Sequence, residues 1–549
     1  MPFSYFFSPF FTNYILNVLF HEKHLENSHN LECGRFNSCF GQSLHIYENE
    51  GRLWLMRRNT IDTPFFMLAV LSVVLLCSVI FMDPVASETW LQTIHSKLIN
   101  GVGVLYLWIG FMSLLFLVYV AFSRYGQIRF GHKDEKPAFS NFSWVAMIFC
   151  AGIGSGVMYW GTIEWAFYFV SPPFHLPVGS SEAIEWSTAY GLFHWGPTAW
   201  AIYTLPALPI GYLYHVKGKS ILKISEACAP ILGKYSNGIL GRIIDLLFLV
   251  GLLGASGTTL GLSVPMIAAG VTKLTGIQHT YSLDLIILAI CTVIFSVSVY
   301  VGLEKGIKKL SDLNVYIAMF VLCCVFLLGP TIFILKVSTN SIGLVLDSFL
   351  RLNTWLDPIA QSGFPEKWTL FYWAWWIVYA PFVGLFIAKI SKGRTVKQVI
   401  VGSILSGSFG CWLFFSILGN YGLFLELRGI LPVTQLLQNN GAPEAFVTIL
   451  HTLPYGSVVV MLFSILAIIF LATTFDTSSY MLAAVTQRHV HGDPIRWNRL
   501  FWAFMLALPP TALMFIGGLD ALQAVTIIAA LPSIPIMILL GLSFLKLVR

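Results

Sequence analysis

From residue 60 to the end of the chain, long apolar runs alternate with short polar connections. A bilayer core needs roughly 20 apolar residues per helix. That ruler predicts about twelve spans, near 64–82, 102–122, 142–170, 190–214, 238–271, 283–302, 312–336, 369–391, 399–424, 456–487, 497–518 and 523–545. Basic residues fall in every second connection: Arg57 and Arg58; Arg124, Arg129, Lys133 and Lys136; Lys217, Lys219 and Lys223; Lys305, Lys308 and Lys309; Lys389, Lys392, Arg394 and Lys397; Arg488, Arg496 and Arg499. The intervening loops are nearly bare, with Lys97, Lys273 and Arg428 isolated. Loops rich in Lys and Arg stay on the cytoplasmic side, which predicts a multi-pass plasma-membrane protein with both termini cytoplasmic.

Two regions depart from this rhythm. Residues 1–55 open with "MPFSYFFSPFFTNYILNVLF", without the basic start and small-residue cleavage site of a signal peptide, and continue polar and patternless. They are expected to be a poorly structured extension or to precede the true start, because Met56 opens "MRRNT" just before the first good span; an interfacial anchor is the rival reading. The connection 338–366 contains "SIGLVLDSFLRL", whose Ile342, Val345, Leu346, Phe349 and Leu350 recur at helical spacing, as in a helix lying along the membrane surface. The expected organisation is therefore 56–140 as two leading helices, 141–337 as one five-helix repeat and 367–549 as a second.

The third span reads "MIFCAGIGSGVMYWGTIEWAFYF", with Gly152, Gly154 and Gly156 alternating at its middle, where glycine weakens a helix. Gly152 and Gly156 also make a GxxxG face, so close helix packing explains them equally well. The eighth span is expected to be interrupted at Ala380-Pro381. Both interruptions fall in the first helix of a five-helix unit. Five is odd, so two such units have opposite orientations, and broken helices at matching places of inverted repeats point to a midplane transport site.

Composition narrows the class. The chain is 56% hydrophobic and 11% charged, with mean hydropathy +0.76, too apolar for a soluble fold of 549 residues. Its net charge of +6 comes from the loops and forms no basic stripe, so nucleic acid is not an expected partner. Nine scattered cysteines make no CxxC pair and imply neither a metal site nor a disulfide framework. There is no P-loop, no HExxH and no Ser/His pair at motif spacing, which argues against an ATP-driven pump or a membrane enzyme. Glu164, Asp245 and Asp476 are the chief intramembrane acids. Glu164 is expected to accept from backbone or Trp N–H, Asp245 to pair with Arg242, and Asp476, after Thr473-Thr474, to bear on transport.

"FYWAWWIVYAPF" (371–382) places seven aromatic rings in twelve positions. Tyr372, Trp375, Tyr379 and Phe382 recur at helical spacing beside Trp376, and "FHWGPTAWAIY" adds Trp195, Trp200 and Tyr203. Rings at a membrane protein's surface usually form an interfacial belt, which suits Trp368 but not rings at mid-depth. Inward rings without a counter-carboxylate suit a quaternary ammonium, which offers no N–H and is held by cation–π attraction of roughly 0.5–2 kcal/mol per ring.

These motifs, with "AGIGSGVMYWGTIEW" (151–165), "GTTLGL" (257–262), "GFPEKWTLFYWAWWIVYAPFVG" (363–384) and "SKGRTVKQ" (391–398), give the chain its resemblance to the betaine/carnitine/choline transporter family from about residue 60 onward. The resemblance implies an all-α membrane fold of two inverted five-helix repeats, LeuT-like, behind two extra helices, and a homotrimer. It places Trp195, Tyr203, Trp375 and Trp376 in a central aromatic box, Tyr379 on the access path and Trp368 at an outer site. Phe167 stands where several carnitine exchangers carry a tyrosine.

The function this implies is secondary transport of glycine betaine, carnitine, γ-butyrobetaine or choline, with no cofactor. An acid among the glycines marks choline carriers of the family, and none stands here. The amides around Gly152, Gly154 and Gly156 are expected to handle a zwitterion's anionic end. The family divides into sodium symporters and sodium-independent exchangers. The wording of the motifs resembles the exchanger branch for carnitine, yet Asn314 and Val383 replace the arginine and methionine that stand in for sodium there. Thr473 and Thr474, opposite the backbone of Ala151 and Ile153, match one sodium position of the symporters; Thr258, Thr259 and Phe382 match a second. Sodium symport is therefore expected, with exchange as the alternative and a non-transporting osmosensor more remote. Threonines bonding their own helix carbonyls are the simpler explanation of the same residues.

Overall fold

The computed structural model describes residues 60–219, 223–301, 304–489, 493–516 and 519–549; the expectation for residues 1–55 lies outside them. Apolar side chains meet lipid while helices satisfy their own backbone groups, which is the condition for crossing hydrocarbon. Among the described residues, eight helices are long and apolar enough to do so: Thr63–Met82, Pro84–Phe122, Ile239–Thr275, Tyr281–Tyr300, Lys309–Leu328, Pro365–Ile390, Val396–Leu427 and Gly456–Val485. Two further spans are bent pairs, Asn141–Ile153 with Gly156–Val170 at 62° and Leu519–Ala530 with Ser533–Val548 at 44°. The chain is an all-α, multi-pass membrane protein.

The remaining two expected spans are helical but broken by proline. The fourth consists of Ser181–His194, Pro197–Thr204 and Ala207–Gly211, and the eleventh of Arg496–Met505 and Leu508–Ile516. Pro197, Pro206, Pro509 and Pro510 lack the donor that a continuous helix needs. One short antiparallel pairing, Thr60–Ile61 with Gln487–His489, joins the start of the described chain to the end of the tenth span.

The eighth span corrects one expectation. Its helix runs unbroken through Pro381, from Phe371 to Ile390, after a π-helical turn at Pro365–Leu370. Proline deletes a single backbone bond, and neighbouring helices hold the segment on every side: its most apolar window is wholly buried. Gly384 permits a close approach to the fourth span, since a Cβ there would lie 2.6 Å from the Pro206 Cβ.

Two other readings change. The seventh span stops at Leu328, and Gly329-Pro330 opens a separate helix, Thr331–Asp347, followed by Phe349–Thr354. That connector buries Ile334, Ser341 and Val345 and exposes Ile332, Leu335, Leu346 and Leu350; its Ser341 hydroxyl lies 2.8 Å from that of Thr188 in the fourth span. Asp245 does not pair with Arg242, which is exposed while Asp245 points inward. Asp245 instead accepts from the Ser225 amide at 3.0 Å and hydroxyl at 2.7 Å.

The basic loops are tied together at one end of the bundle. Lys392 pairs with Glu135 at 2.7 Å, and Arg394 donates to Asn141 Oδ1 at 2.9 Å while lying 4.1 Å above the Trp144 ring. The loop after the second span is thereby fastened to the loop after the eighth.

Candidate substrate-binding site

The third span breaks at Gly154, whose φ of +56° and ψ of −150° lie outside the regions open to residues with a Cβ. A second half-helix starts at Gly156, and no side chain caps its first amides. An uncapped helix start carries free donors and the positive end of the helix dipole.

Beside this break lies a small cavity walled by Trp195, Tyr203, Trp375, Trp376 and Tyr379. Trp376 is the hub: its ring centroid is 4.4 Å from Tyr203, 5.5 Å from Trp195 and 5.9 Å from Trp200. Trp195 meets Trp375 edge to face at 6.2 Å. The polar part of the wall is Thr259, Thr474 and the segment Gly152–Ile153. The Tyr379 and Thr259 hydroxyls are 3.0 Å apart. The indole N–H of Trp375 is buried without a partner and is thus a donor still to be satisfied. The eighth span supplies three of the five rings because its neighbours bury it on all sides, so inward-facing tryptophans meet protein and not lipid.

A model of the betaine/carnitine/choline transporter family (BCCT) matches residues 64–549. The chain belongs to this family. Among BCCT relatives, a carnitine transporter of Acinetobacter baumannii is 37% identical over 460 residues, covering 82% of each chain. An uncharacterized Escherichia coli K12 transporter, YeaV, is 34% identical over 430 residues, 78% of this chain and 89% of its own. Among solved structures, a Na+-coupled sialic acid symporter in a substrate-bound outward-open state matches with TM-score 0.40 and 10% identity over 79% of each chain.

The other residues marked in this BCCT sequence fall around the cavity without lining it. Gly156 abuts the Trp375 ring, where a Cβ would lie 3.3 Å from it, and Gly154 abuts Thr474. Trp368 and Phe167 pack together at 5.2 Å in a separate aromatic layer with Tyr168 and Trp160. Phe382 rests against Tyr379 at 6.1 Å.

The hydroxyls expected to hold sodium divide. Thr474 Oγ1 reaches across to the Cys150 carbonyl at 3.3 Å, where the first half-helix is ending. The Thr474 oxygen thus lies against the end of an interrupted helix, where backbone carbonyls are left without a partner in their own helix. Thr473 donates to Phe470 O of its own helix at 2.9 Å. Thr259 faces the cavity, whereas Thr258 turns away to Thr526 at 2.9 Å, so the second set does not converge. Asp476, one turn further along, engages Ser298. Asn314 donates to Cys150 Sγ at 3.8 Å.

Sequence reasoning missed a polar cluster directly behind the rings. Tyr372, expected on the ring stripe, stacks on His194 at 4.6 Å and donates to Glu164. Glu164 also accepts from Trp195 Nε1 at 3.1 Å, in line with the Trp N–H partner expected for it. The available signal was His194 itself, a polar residue directly before Trp195 in an apolar span.

Proposed function

We propose that this chain is a secondary transporter that imports a quaternary ammonium compound by sodium symport and alternating access, with both termini cytoplasmic in the plasma membrane. The observation that carries the reading is the cavity walled by five rings beside the broken third span. Ring faces attract a charge that cannot hydrogen-bond, at roughly 0.5–2 kcal/mol per ring. For a zwitterion such as glycine betaine or carnitine, the free Trp375 N–H, the Tyr379–Thr259 hydroxyls and the amides beginning the second half-helix offer donors to the carboxylate.

Thr473 and Thr474, with the carbonyls of Ala151 and Ile153, would hold Na+, whose downhill entry supplies the driving force. Thr258, Thr259 and Phe382 are a less favourable second position, because Thr258 points to Thr526. Uptake of labelled glycine betaine, carnitine and γ-butyrobetaine into proteoliposomes, with Na+ or N-methylglucamine outside, tests this reading; no uptake of any of them under either condition refutes it. The A. baumannii relative, named a carnitine transporter, favours carnitine among these substrates. The wording of the sequence motifs supports a second reading, sodium-independent exchange of carnitine for γ-butyrobetaine. Trans-stimulation by internal substrate without sodium would select it.

A further inference from the structure

The carboxylate of Glu164, fully buried on the second half-helix of the third span, lies behind the cavity wall, and its hydrogen-bond partners are all groups able to donate to it. Its Oε1 accepts from the Tyr168 hydroxyl at 2.6 Å and lies 3.4 Å from His194 Nδ1. Its Oε2 accepts from Trp195 Nε1 at 3.1 Å and from the Tyr372 hydroxyl. An indole N–H can only donate. The Tyr168 oxygen is 2.9 Å from His194 Nδ1, and His194 Nε2 is 3.1 Å from the Thr369 hydroxyl. With His194 neutral and protonated on Nδ1, the bonds run from Thr369 through His194 and Tyr168 to Glu164, and every atom of the chain is satisfied. All donors then converge on a carboxylate anion. Among the described residues, His194 is its one ion-pair contact, so no lysine or arginine neutralises it.

An anion without a counter-cation is costly inside a membrane protein, and this one sits one indole away from a cavity suited to a permanent cation. We propose that Glu164 is the counter-charge of the cavity, a positioning residue acting through Trp195. Its bond fixes the indole edge and draws electron density toward the ring face, and its charge acts through a medium of low dielectric. The wall therefore selects a cationic head over an uncharged one of the same shape. The proposal rests on the quaternary ammonium reading of the same cavity.

The test compares two ligands that differ only at the head atom, measured on the purified full chain by equilibrium binding. Glycine betaine is set against 3,3-dimethylbutanoate, or γ-butyrobetaine against 5,5-dimethylhexanoate, using whichever cation binds the wild type more tightly. Glu164→Gln should weaken the cationic ligand about tenfold or more and leave the uncharged-head isostere within about twofold. A purely structural role lowers both together, and that result overturns the proposal, as does unchanged binding of both. If Glu164→Gln does not fold, replacing Trp195 with benzothienylalanine, which keeps the bicyclic ring and exchanges N–H for sulfur, decides the matter: selective loss of the cation supports the coupling, and no selective loss overturns it. A wild type that binds neither betaine rejects the quaternary ammonium reading itself, whereas a wild type that binds them beside an unselective variant rejects only the role of Glu164.

Discussion

Gly154 and Thr474 meet across the break in the third span, where a Cβ on Gly154 would lie 2.9 Å from the Thr474 hydroxyl oxygen. The backbone there also has a positive φ. Two independent requirements, conformation and space, thus fall on one residue. Gly154→Ala pays both, with backbone strain of about 1–3 kcal/mol. The variant is expected to insert and stay folded, because the rest of the bundle holds the segment, but to lose most uptake. Normal uptake at normal surface expression would return the glycines of this span to a packing role.

The five-ring wall predicts graded losses at Trp376. Trp376→Ala removes the ring in contact with Tyr203, Trp195 and Trp200, while Trp376→Phe keeps a smaller π face. At roughly 0.5–2 kcal/mol per ring, ligand affinity should fall about 2- to 30-fold from the cation–π term alone, more for alanine than for phenylalanine. Titration calorimetry with the best-bound betaine reads the order. If Trp376→Leu binds as tightly as Trp376→Phe, the rings contribute bulk only.

Much of this was legible in the sequence, for physical reasons. Apolar runs mark where the spans lie because hydrocarbon imposes their length. Among the described residues, however, eight helices and two bent pairs are long and apolar enough where about twelve spans were expected, the other two being cut into short helices. The positive φ at Gly154 was foreshadowed by a glycine run where helices avoid it. Trp195, Tyr203, Trp375 and Trp376, grouped by the family resemblance, line one cavity together with Tyr379, whereas Tyr372, Phe382 and Trp200 of the ring pattern lie outside its wall. What failed was local. Pro381 looked like a break, but tertiary packing overrides the loss of one backbone bond. Asp245 looked like an ion pair with Arg242, yet the two face different surroundings. The Glu164 cluster joins three separate spans, and a residue's partners across 30 or 208 positions leave no trace in spacing.

Outside the membrane spans, His175 lies 2.9 Å from Asp357, which also accepts the Ser362 amide at 2.8 Å. Burial pushes the Asp357 carboxyl up, but the Ser362 hydroxyl and amide and the His175 ring outweigh it and bring it from 3.8 down to about 2. A depressed acid stabilises the fold above its unfolded value and loses that contribution as pH falls through the folded one. Protection of the Ser362 amide from hydrogen exchange, corrected for intrinsic rate, should therefore hold above about pH 4 and decline toward about pH 2. In Asp357→Asn the acid-dependent decline should vanish. A wild-type decline centred near pH 6 would assign the transition to another group.

The sodium reading makes an asymmetric prediction for two adjacent threonines. Thr474 reaches out of its helix to the Cys150 carbonyl at 3.3 Å, whereas Thr473 donates its hydroxyl proton to Phe470 O at 2.9 Å. A hydroxyl that donates to its own helix still presents a lone pair, so Thr473 can contribute, but only Thr474 is already placed against the broken segment. Thr474→Ala should raise the sodium concentration for half-maximal uptake more than Thr473→Ala does, with Thr474→Ser close to wild type. Loss of one oxygen ligand at about 1–3 kcal/mol corresponds to roughly 5- to 150-fold in sodium affinity. Initial rates against external Na+, at fixed substrate and with N-methylglucamine making up the ionic strength, give the three constants. Equal effects of the two alanines would mean that the hydroxyls rearrange on cation binding. Sodium-independent uptake in the wild type and in both variants would remove the symport mechanism and leave exchange.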